Sequence, residues 1–223
     1  MTNTIAIIPA RGGSKRLSQK NILMLGGLPL VAHPVVYAKS FPQIINEVYV
    51  STDDNDIKEI SLKFGAKVID RPAHLATDTT PTIEVLQHAV EHLNVTDGWV
   101  VLLQPTNPLR PKGLLEEAFA KLELTGADSL FTITPHHQKL GTLQNEQFKP
   151  YNYTFGQRSQ DMEALYFENG LLYITKPQLI KQGLIMGPKH TTLIVDHPYA
   201  RVDIDTQADL DYARYVAQNF NNF

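Results

Sequence analysis

The sequence predicts a three-layer α/β domain, in which helices cover both faces of a mostly parallel, Rossmann-like sheet. Short apolar runs rich in β-branched residues alternate with segments of helical periodicity, a rhythm typical of βαβ units with right-handed crossovers. Polar loops follow several of these runs, and parallel sheets bind ligands at the carboxyl ends of their strands. A chain of 223 residues that is 43% hydrophobic can bury a substantial core, so one domain spanning residues 1–223 is expected.

The composition argues against several classes of function. A formal net charge of -3 is unlike that of a general nucleic-acid binder, which would need a basic face. Without cysteine the chain can form no disulfide and has no thiol nucleophile. No apolar stretch approaches the length of a membrane span, and the amino terminus is unlike a secretory leader. We therefore expect a cytoplasmic protein with neither nucleic-acid nor membrane partners.

The first strand and the loop after it predict a phosphate site. Residues 5–8 form a short apolar strand that ends at Pro9 and suits the interior of a parallel sheet. In the loop at residues 10–21, Gly12 and Gly13 allow backbone amides to approach a ligand closely. Four cations lie in this loop: Arg11, Lys15, Arg16 and Lys20. Together they can balance a triphosphate, although the spacing is not that of a Walker P-loop; the alternative is a plain solvated basic turn.

Periodicity and boundary residues define the remaining elements. Strands are predicted at residues 47–53, 66–69, 99–103, 129–134, 171–175 and 192–195. Helices are predicted at residues 29–40, 54–64, 81–93, 112–122 and 178–182, and after Thr206. In the helix at 81–93, Thr80 should be the cap and Pro81 the first helical residue. Its apolar stripe should comprise Ile83, Leu86, Val90 and Leu93.

The order of these elements also predicts where the loops meet. Four loops should surround one cleft at the carboxyl ends of the strands, those that begin at Ala10, Asp53, Arg71 and Gln104. The segment at residues 135–166 loses clear periodicity. Because such long excursions are uncommon unless they close a site or meet a partner, we interpret it as an irregular flap or dimerisation arm. An intrachain satellite core around Tyr151, Tyr153 and Phe155 is the alternative.

Two aspartates near the carboxyl terminus predict a metal site. Residues 201–205 alternate strictly, so we expect a strand with Val202 and Ile204 facing the core and with Asp203 and Asp205 together on the opposite face. Paired carboxylates suit Mg²⁺, which also takes phosphate oxygens. The alternative is a solvated strand face on which Arg201 neutralises Asp203. With the cationic loop at the other end of the chain, the pair favours a bound nucleoside triphosphate.

A second metal motif competes with this interpretation. His88, Glu91 and His92 match the pattern of inverted zinc peptidases. Both histidines lie off the apolar stripe of their helix, and no third ligand stands out downstream. An exposed polar helix face therefore explains them better than zinc hydrolysis does. A nucleotide-binding module without catalysis is a further alternative.

Six spaced motifs carry a family resemblance. They are ARGGSKRL with KN (10–17 and 20–21), VSTD (50–53), RP (71–72), LLQPTNPLR (102–110), NG (169–170) and VDIDT (202–206). On these residues, in order and over nearly the whole chain, the sequence resembles the acylneuraminate cytidylyltransferases, or CMP-sialic acid synthetases.

The resemblance implies Mg²⁺-dependent transfer of CMP from CTP to the anomeric hydroxyl of a nonulosonic acid, a nine-carbon 2-keto sugar acid, with release of pyrophosphate. It also implies a homodimer in which the excursion of each subunit caps the partner's site. The nucleotide would be bound by Arg11, Lys15, Lys20, Asn21, Arg71, Thr82 and Gln104. The sugar acid would be bound by Gln104, Arg158, Gln160, Asn169 and Tyr173. The metal ligands would be Asp203 and Asp205, and these two with Arg11 and Lys20 would form the catalytic set.

The chain departs from the family around residues 157–170. It has Arg158-Ser159-Gln160 where members often carry Arg-Arg-Gln or Arg-Gln-Gln, and Phe167 where many bacterial relatives have an arginine two residues before Asn-Gly. Arg158, Gln160 and Lys139 are candidates for binding the sugar carboxylate, and the sequence leaves the choice open. Sialic, legionaminic, pseudaminic and deaminated acids all remain possible acceptors, with KDO or a sugar phosphate as alternatives outside this class.

Overall fold

A computed structural model describes residues 3–220 of the chain. The strands are β1 (Thr4–Pro9), β2 (Met24–Leu25), β3 (Leu28–Pro29), β4 (Glu47–Thr52), β5 (Lys67–Asp70), β6 (Trp99–Leu102), β7 (Ser129–His136), β8 (Gly141–Gln144), β9 (Gln147–Pro150), β10 (Leu165–Thr175) and β11 (His190–Ile194). The α-helices are α1 (Ala32–Lys39), α2 (Asn55–Lys63), α3 (Thr82–His92), α4 (Leu114–Thr125), α5 (Pro177–Lys181) and α6 (Gln207–Asn219). Short 3-10 helices cover Lys20–Ile22, Ala73–Leu75, Ser159–Asp161 and Pro198–Arg201.

Seven strands form one mixed sheet in the order β11-β7-β10-β6-β1-β4-β5. All neighbouring pairs are parallel except those of β10, which is antiparallel to both β6 and β7. The predicted mostly parallel α/β sheet is therefore confirmed. Strand β10 runs for 11 residues, well beyond the predicted 171–175, and its register shifts between Glu168 and Tyr173.

The core lies on both faces of the sheet. Ala6 and Ile8 of β1 pack in one cluster with Val35 of α1 and Leu115 of α4. Burial of each large side chain there stabilises the fold by about 1.5–3 kcal/mol. Two residues of β1 with the opposite orientation, Ile5 and Ile7, pack in a second cluster with Leu86 and Val90 of α3. Because both faces of β1 are covered, its residues read as a continuous apolar run rather than an alternating one.

Helix boundaries follow their caps in two cases and not in a third. The side chain of Asp54 accepts a hydrogen bond from Ile57 N at 3.0 Å, so α2 begins directly after it. Thr206 and Asp209 form a capping box at the start of α6, where a helix was predicted. The predicted threonine cap of α3 is wrong: Pro81 occupies the N-cap position, while the Thr80 hydroxyl bonds Thr77 Oγ1 at 2.7 Å.

The segment at residues 201–205 is not the predicted strand. Val202 and Ile204 are fully buried, as the alternation indicated. Their backbone polar groups bond loop residues instead of a neighbouring strand, because Ile204 N donates to Thr106 O at 2.8 Å and Val202 O accepts from the Asn107 amide at 2.9 Å. The alternating pattern therefore predicted which side chains are buried, but this segment does not pair with a neighbouring strand.

The excursion at residues 135–166 is more regular than predicted. Its two ends belong to β7 and β10, and between them β8 and β9 form an antiparallel hairpin. Asn145 and Glu146 make the two-residue turn with φ angles of 47° and 64°, a geometry for which glycine is the usual sequence signal. Among residues 3–220 no helix is long and apolar enough to cross a membrane.

Candidate active site

Two neighbouring cavities lie at the carboxyl ends of the central parallel strands. The smaller, of about 220 Å³, is lined by residues that include Arg11, Arg71 and Thr82. The larger, of about 570 Å³, is lined by residues that include Tyr173 and Asp203. Gln104, which follows β6, lines both. Three of the four loops predicted to meet, those after β1, β5 and β6, thus converge, whereas the loop that begins at Asp53 lines neither cavity.

The loop after β1 is held in place by its neighbours. The side-chain amide of Asn21 donates to Arg11 O at 2.8 Å. Gly12 N donates to Asp53 Oδ1 at 3.1 Å, so the loop after β4 contacts the loop after β1. A side chain at Gly12 would collide with the carboxylate of Asp54, so this position requires glycine. Both loop ends are therefore fixed before any ligand binds.

Asp78 pairs with two cations of this loop. Its carboxylate lies 2.5 Å from Arg11 Nη1 and 2.6 Å from Lys15 Nζ. Hydrogen bonds from Lys15 and then Arg11 lower the pKa of Asp78. Asp78 also lines the smaller cavity. Asp78 was not predicted from the sequence, because its only local signal is its place in the polar loop after β5.

Asp205 pairs with the other two cations. Its oxygens lie 2.8 Å from Lys20 Nζ and 2.7 Å from Arg16 Nη2. The Lys20 side chain is only 13% exposed, whereas that of Arg16 is 69% exposed. The Lys20 contact is therefore the better shielded of the two. All four loop cations are thus paired with an acid of the same chain.

Asp203 differs from Asp205 in its surroundings. It lines the larger cavity, and desolvation in the cavity wall, with the nearby Asp205 charge, raises the pKa of Asp203. Thr106 and Lys20 oppose that rise. A cation bound beside the two carboxylates would oppose this rise, because a nearby positive charge favours the ionised form.

The two aspartates are suitable ligands for Mg²⁺, which prefers oxygen donors. Among residues 3–220 there is no group of three His, Cys, Asp or Glu side chains placed to hold a metal ion. A cation at Asp203 and Asp205 would therefore need phosphate oxygens or water as its other ligands, and the donor set fits Mg²⁺ under that condition. His88 and His92 stack with ring centroids 6.0 Å apart on α3, and within the described chain the zinc alternative finds no third ligand.

Arg71 is a buried cation of the smaller cavity. Its Nε donates to Ser51 Oγ at 3.2 Å and its Nη2 donates to Ser51 O at 2.6 Å. Burial lowers the pKa of Arg71 to about 10, so the side chain remains charged at neutral pH. Arg71 thus presents a fixed positive charge to the cavity.

Asn169 and Tyr173 shape the larger cavity in different ways. The Asn169 side chain accepts from Thr132 Oγ1 at 2.6 Å and donates to Thr134 Oγ1 at 3.0 Å. These bonds are internal, so Asn169 fixes the cavity wall. The Tyr173 hydroxyl donates to Glu168 Oε1 at 2.5 Å. Burial and the Glu168 carboxylate raise the pKa of Tyr173, which keeps it protonated.

Arg158 and Gln160 are not brought to either cavity of their own chain. Both are exposed, and Arg158 pairs with Asp161 at 2.7 Å. Lys139 is exposed as well and donates to Gln157 O at 2.5 Å. The larger cavity is instead lined by His136 and Arg201, among others. Neither residue was predicted at the sugar-acid site, although Arg201 directly precedes the segment that contains Asp203 and Asp205.

Comparison with known proteins agrees with this geometry. Residues 5–221 match the sequence model of the family described as Cytidylyltransferase. The chain is 34% identical to N-acylneuraminate cytidylyltransferase A of Danio rerio over 98% of its own length, but spans about half (51%) of that protein. It is 33% identical to pseudaminic acid cytidylyltransferase of Campylobacter jejuni over 95% of each chain.

A solved structure shows the same fold. A CMP:2-keto-3-deoxy-manno-octonic acid synthetase complexed with CTP superposes with a TM-score of 0.70, over 98% of this chain and 99% of that one. At 16% identity it bears on the fold alone. The family match covers nearly the whole chain and both cavities, and we conclude that this protein belongs to the cytidylyltransferase family.

Proposed function

We propose that this protein transfers CMP from CTP to the anomeric hydroxyl of a nonulosonic acid and releases pyrophosphate. The names of the two relatives, which act on N-acylneuraminate and pseudaminic acid, support this class of acceptor. One observation carries the proposal: a cation-rich cavity and a larger polar cavity meet at Gln104, beside Asp203. Such a pair can hold a nucleotide and an acceptor side by side.

The nucleotide belongs in the smaller cavity. Arg11 and Lys20 line this cavity and supply charge for a triphosphate. Lys15 lies at its edge, paired with Asp78, and Asn21 holds the Arg11 backbone in position. Arg71, Thr82 and Gln104 line the rest of that cavity and would contact the nucleoside. CTP must then replace Asp78 and Asp205 as the partner of the loop cations.

The acceptor belongs in the larger cavity, where Gln104 and Tyr173 face it and Asn169 fixes its wall. Its anomeric oxygen attacks the α-phosphorus in line with the leaving group. The bond from that phosphorus to the bridging oxygen breaks, pyrophosphate departs with the electron pair, and the hydroxyl proton is released. No covalent enzyme intermediate is needed, because positioning and charge neutralisation lower the barrier.

We also propose that Asp203 and Asp205 hold Mg²⁺ together with the nucleotide phosphates. When bound, the ion would neutralise charge that develops on the phosphate oxygens. Before the nucleotide binds, Lys20 and Arg16 hold the Asp205 carboxylate toward the loop. The raised pKa of Asp203 supports a site that gains from a nearby cation.

A homodimer would complete the acceptor site. The arm at residues 135–166 exposes Leu143, Phe148, Tyr151 and Phe155, and Arg158 and Gln160 lie on it, away from their own cavities. We propose that the arm of one subunit caps the larger cavity of the other, which would place these two polar side chains near the sugar acid. A cytoplasmic location stays a prediction.

A pyrophosphate-release assay tests the proposed function. It crosses the four nucleoside triphosphates with a panel of nonulosonic acids, the eight-carbon acid KDO and a sugar phosphate. We expect release with CTP and at least one nonulosonic acid. Release with UTP and a sugar phosphate, but not with CTP and any sugar acid, would refute the proposal; a preference for KDO would move the acceptor to the eight-carbon class.

A further inference from the structure

This inference rests on the proposed function. We infer that Arg201, assisted by His136, binds the carboxylate of the sugar acid from within the same subunit and selects acceptors that carry it. The inference places the carboxylate on the wall of the larger cavity of the same subunit. It also assigns the carboxylate to a residue outside the arm that carries Arg158 and Lys139.

The charges in the larger cavity favour Arg201 as the residue that binds the carboxylate. Of the described residues that line this cavity, Arg201 alone carries a permanent positive charge, while Glu168 and Asp203 carry carboxylates. Glu168 is already bonded to the Tyr173 hydroxyl. A substrate carboxylate is repelled by the two acids and attracted by Arg201, so the cavity gives it one favourable orientation.

Arg201 is exposed, and its guanidinium makes weak contacts with its neighbours that do not neutralise its charge. Its Nη2 donates to Pro135 O at 3.3 Å, and its Cζ lies 5.9 Å from the centre of the Phe167 ring. Among the ion pairs of residues 3–220 none includes Arg201. A guanidinium has five N–H donors, so most remain free for the two oxygens of a carboxylate.

His136 provides an independent observation. Its Nε2 is buried without a hydrogen-bond partner in the described chain, and the residue lines the larger cavity. The imidazole meets the Phe167 ring edge-on at 6.2 Å, on the same ring that Arg201 approaches. Because a buried nitrogen without a partner is unfavourable, a ligand oxygen at this point would satisfy it.

The chemistry of the acceptor requires the residue that binds its carboxylate to lie near Asp203. In a 2-keto sugar acid the carboxylate and the reacting hydroxyl are both attached to the anomeric carbon. The residue that binds the carboxylate must therefore be a neighbour of the reacting centre. Arg201 and Asp203 both line the cavity, and they are separated in the sequence only by the buried Val202.

Removal of the guanidinium tests the inference. Arg201→Gln is compared with the unaltered protein and with Arg214→Gln, an exposed arginine on α6 that pairs with Asp211. Each is assayed with the best nonulosonic acid of the panel and with its C1 carboxamide. For Arg201→Gln we expect kcat/KM for the acid to fall about 10- to 100-fold, as for loss of a charged hydrogen bond, with little change for the amide and for CTP. Arg201→Lys should recover part of the acid selectivity.

The outcomes separate the two claims. The inference is overturned if Arg201→Gln has the same ratio of kcat/KM for the acid to kcat/KM for the amide as the unaltered protein. It is also overturned if Arg158→Gln loses this preference for the acid while Arg201→Gln keeps it. CTP affinity measured by calorimetry verifies that the Arg201 variants are folded. No turnover of any sugar acid by the unaltered protein overturns the proposed function and this inference with it.

Discussion

Lys20 Nζ lies 2.8 Å from Asp205 Oδ1, although the two residues are 185 positions apart in the chain. The contact joins the loop after β1 to the segment before α6. Arg16 bonds the other oxygen of the same carboxylate, and Asp78 neutralises Arg11 and Lys15 in a similar way. Each loop cation therefore has an acidic partner in the unliganded protein, and a triphosphate has to compete with these partners.

We expect Asp78→Asn to tighten CTP binding by up to about fivefold, the range of a partly exposed ion pair. The amide keeps the size of the side chain but no longer competes with the phosphates for Arg11 and Lys15. Isothermal calorimetry at two salt concentrations measures the effect, which should shrink at high salt. Asp70→Asn, which removes a surface pair with Lys58, is the matched control. Weaker binding in Asp78→Asn would show that Asp78 aligns the cations instead.

Asp205→Ala should abolish turnover, with a loss of at least about 100-fold even at saturating Mg²⁺. The substitution removes a proposed metal ligand and also leaves Lys20, only 13% exposed, without its partner. Steady-state pyrophosphate release gives the rate. The control Asp211→Ala, on the exposed face of α6, should keep the normal rate. A near-normal rate for Asp205→Ala would show that this carboxylate has only a structural role.

Asp203→Asn should stabilise the protein at neutral pH in the absence of divalent cations. Asp203 is an exposed residue, but partial desolvation of its carboxylate by the cavity wall first, and the Asp205 charge second, raise its pKa above the ordinary value. Its ionised form therefore opposes folding above the folded-state pKa, and this cost disappears below the unfolded-state value of about 3.9. Thermal melts from pH 4 to pH 7.5 should show a higher Tm for the variant at pH 7.5 and convergence near pH 4. The same variant should lose activity, and equal melting temperatures at all pH values would contradict the account.

Tyr151→Asp combined with Phe155→Asp should produce a monomer with reduced sugar-acid turnover. Both rings are more than 70% exposed on the arm, and two charges there would oppose burial against a partner. Analytical ultracentrifugation establishes the oligomeric state, and pyrophosphate release measures turnover. Tyr215→Asp, which alters an exposed ring on α6, is the control. Full activity in a proven monomer would rule out a capping arm.

Local features of the fold were predictable because local physics creates them. The apolar run of β1 reflects burial on both faces, and Asp54 and Thr206 cap their helices through bonds to residues three positions ahead. The meeting of the loops after β1, β5 and β6 follows from the parallel order of the strands. The family motifs identified the cytidylyltransferase family, which the comparison confirms.

The tertiary structure alone decided which distant groups meet. Whether an alternating segment pairs with a strand depends on what lies beside it, and residues 201–205 lie against the backbone of Thr106 and the side chain of Asn107. The partners of the loop cations, Asp78 and Asp205, and the convergence of Arg201 and His136 on Phe167 depend on contacts across the fold. Sequence periodicity encodes the burial and hydrogen bonding of neighbours, whereas ion pairs and cavity walls arise from packing between elements far apart in the chain.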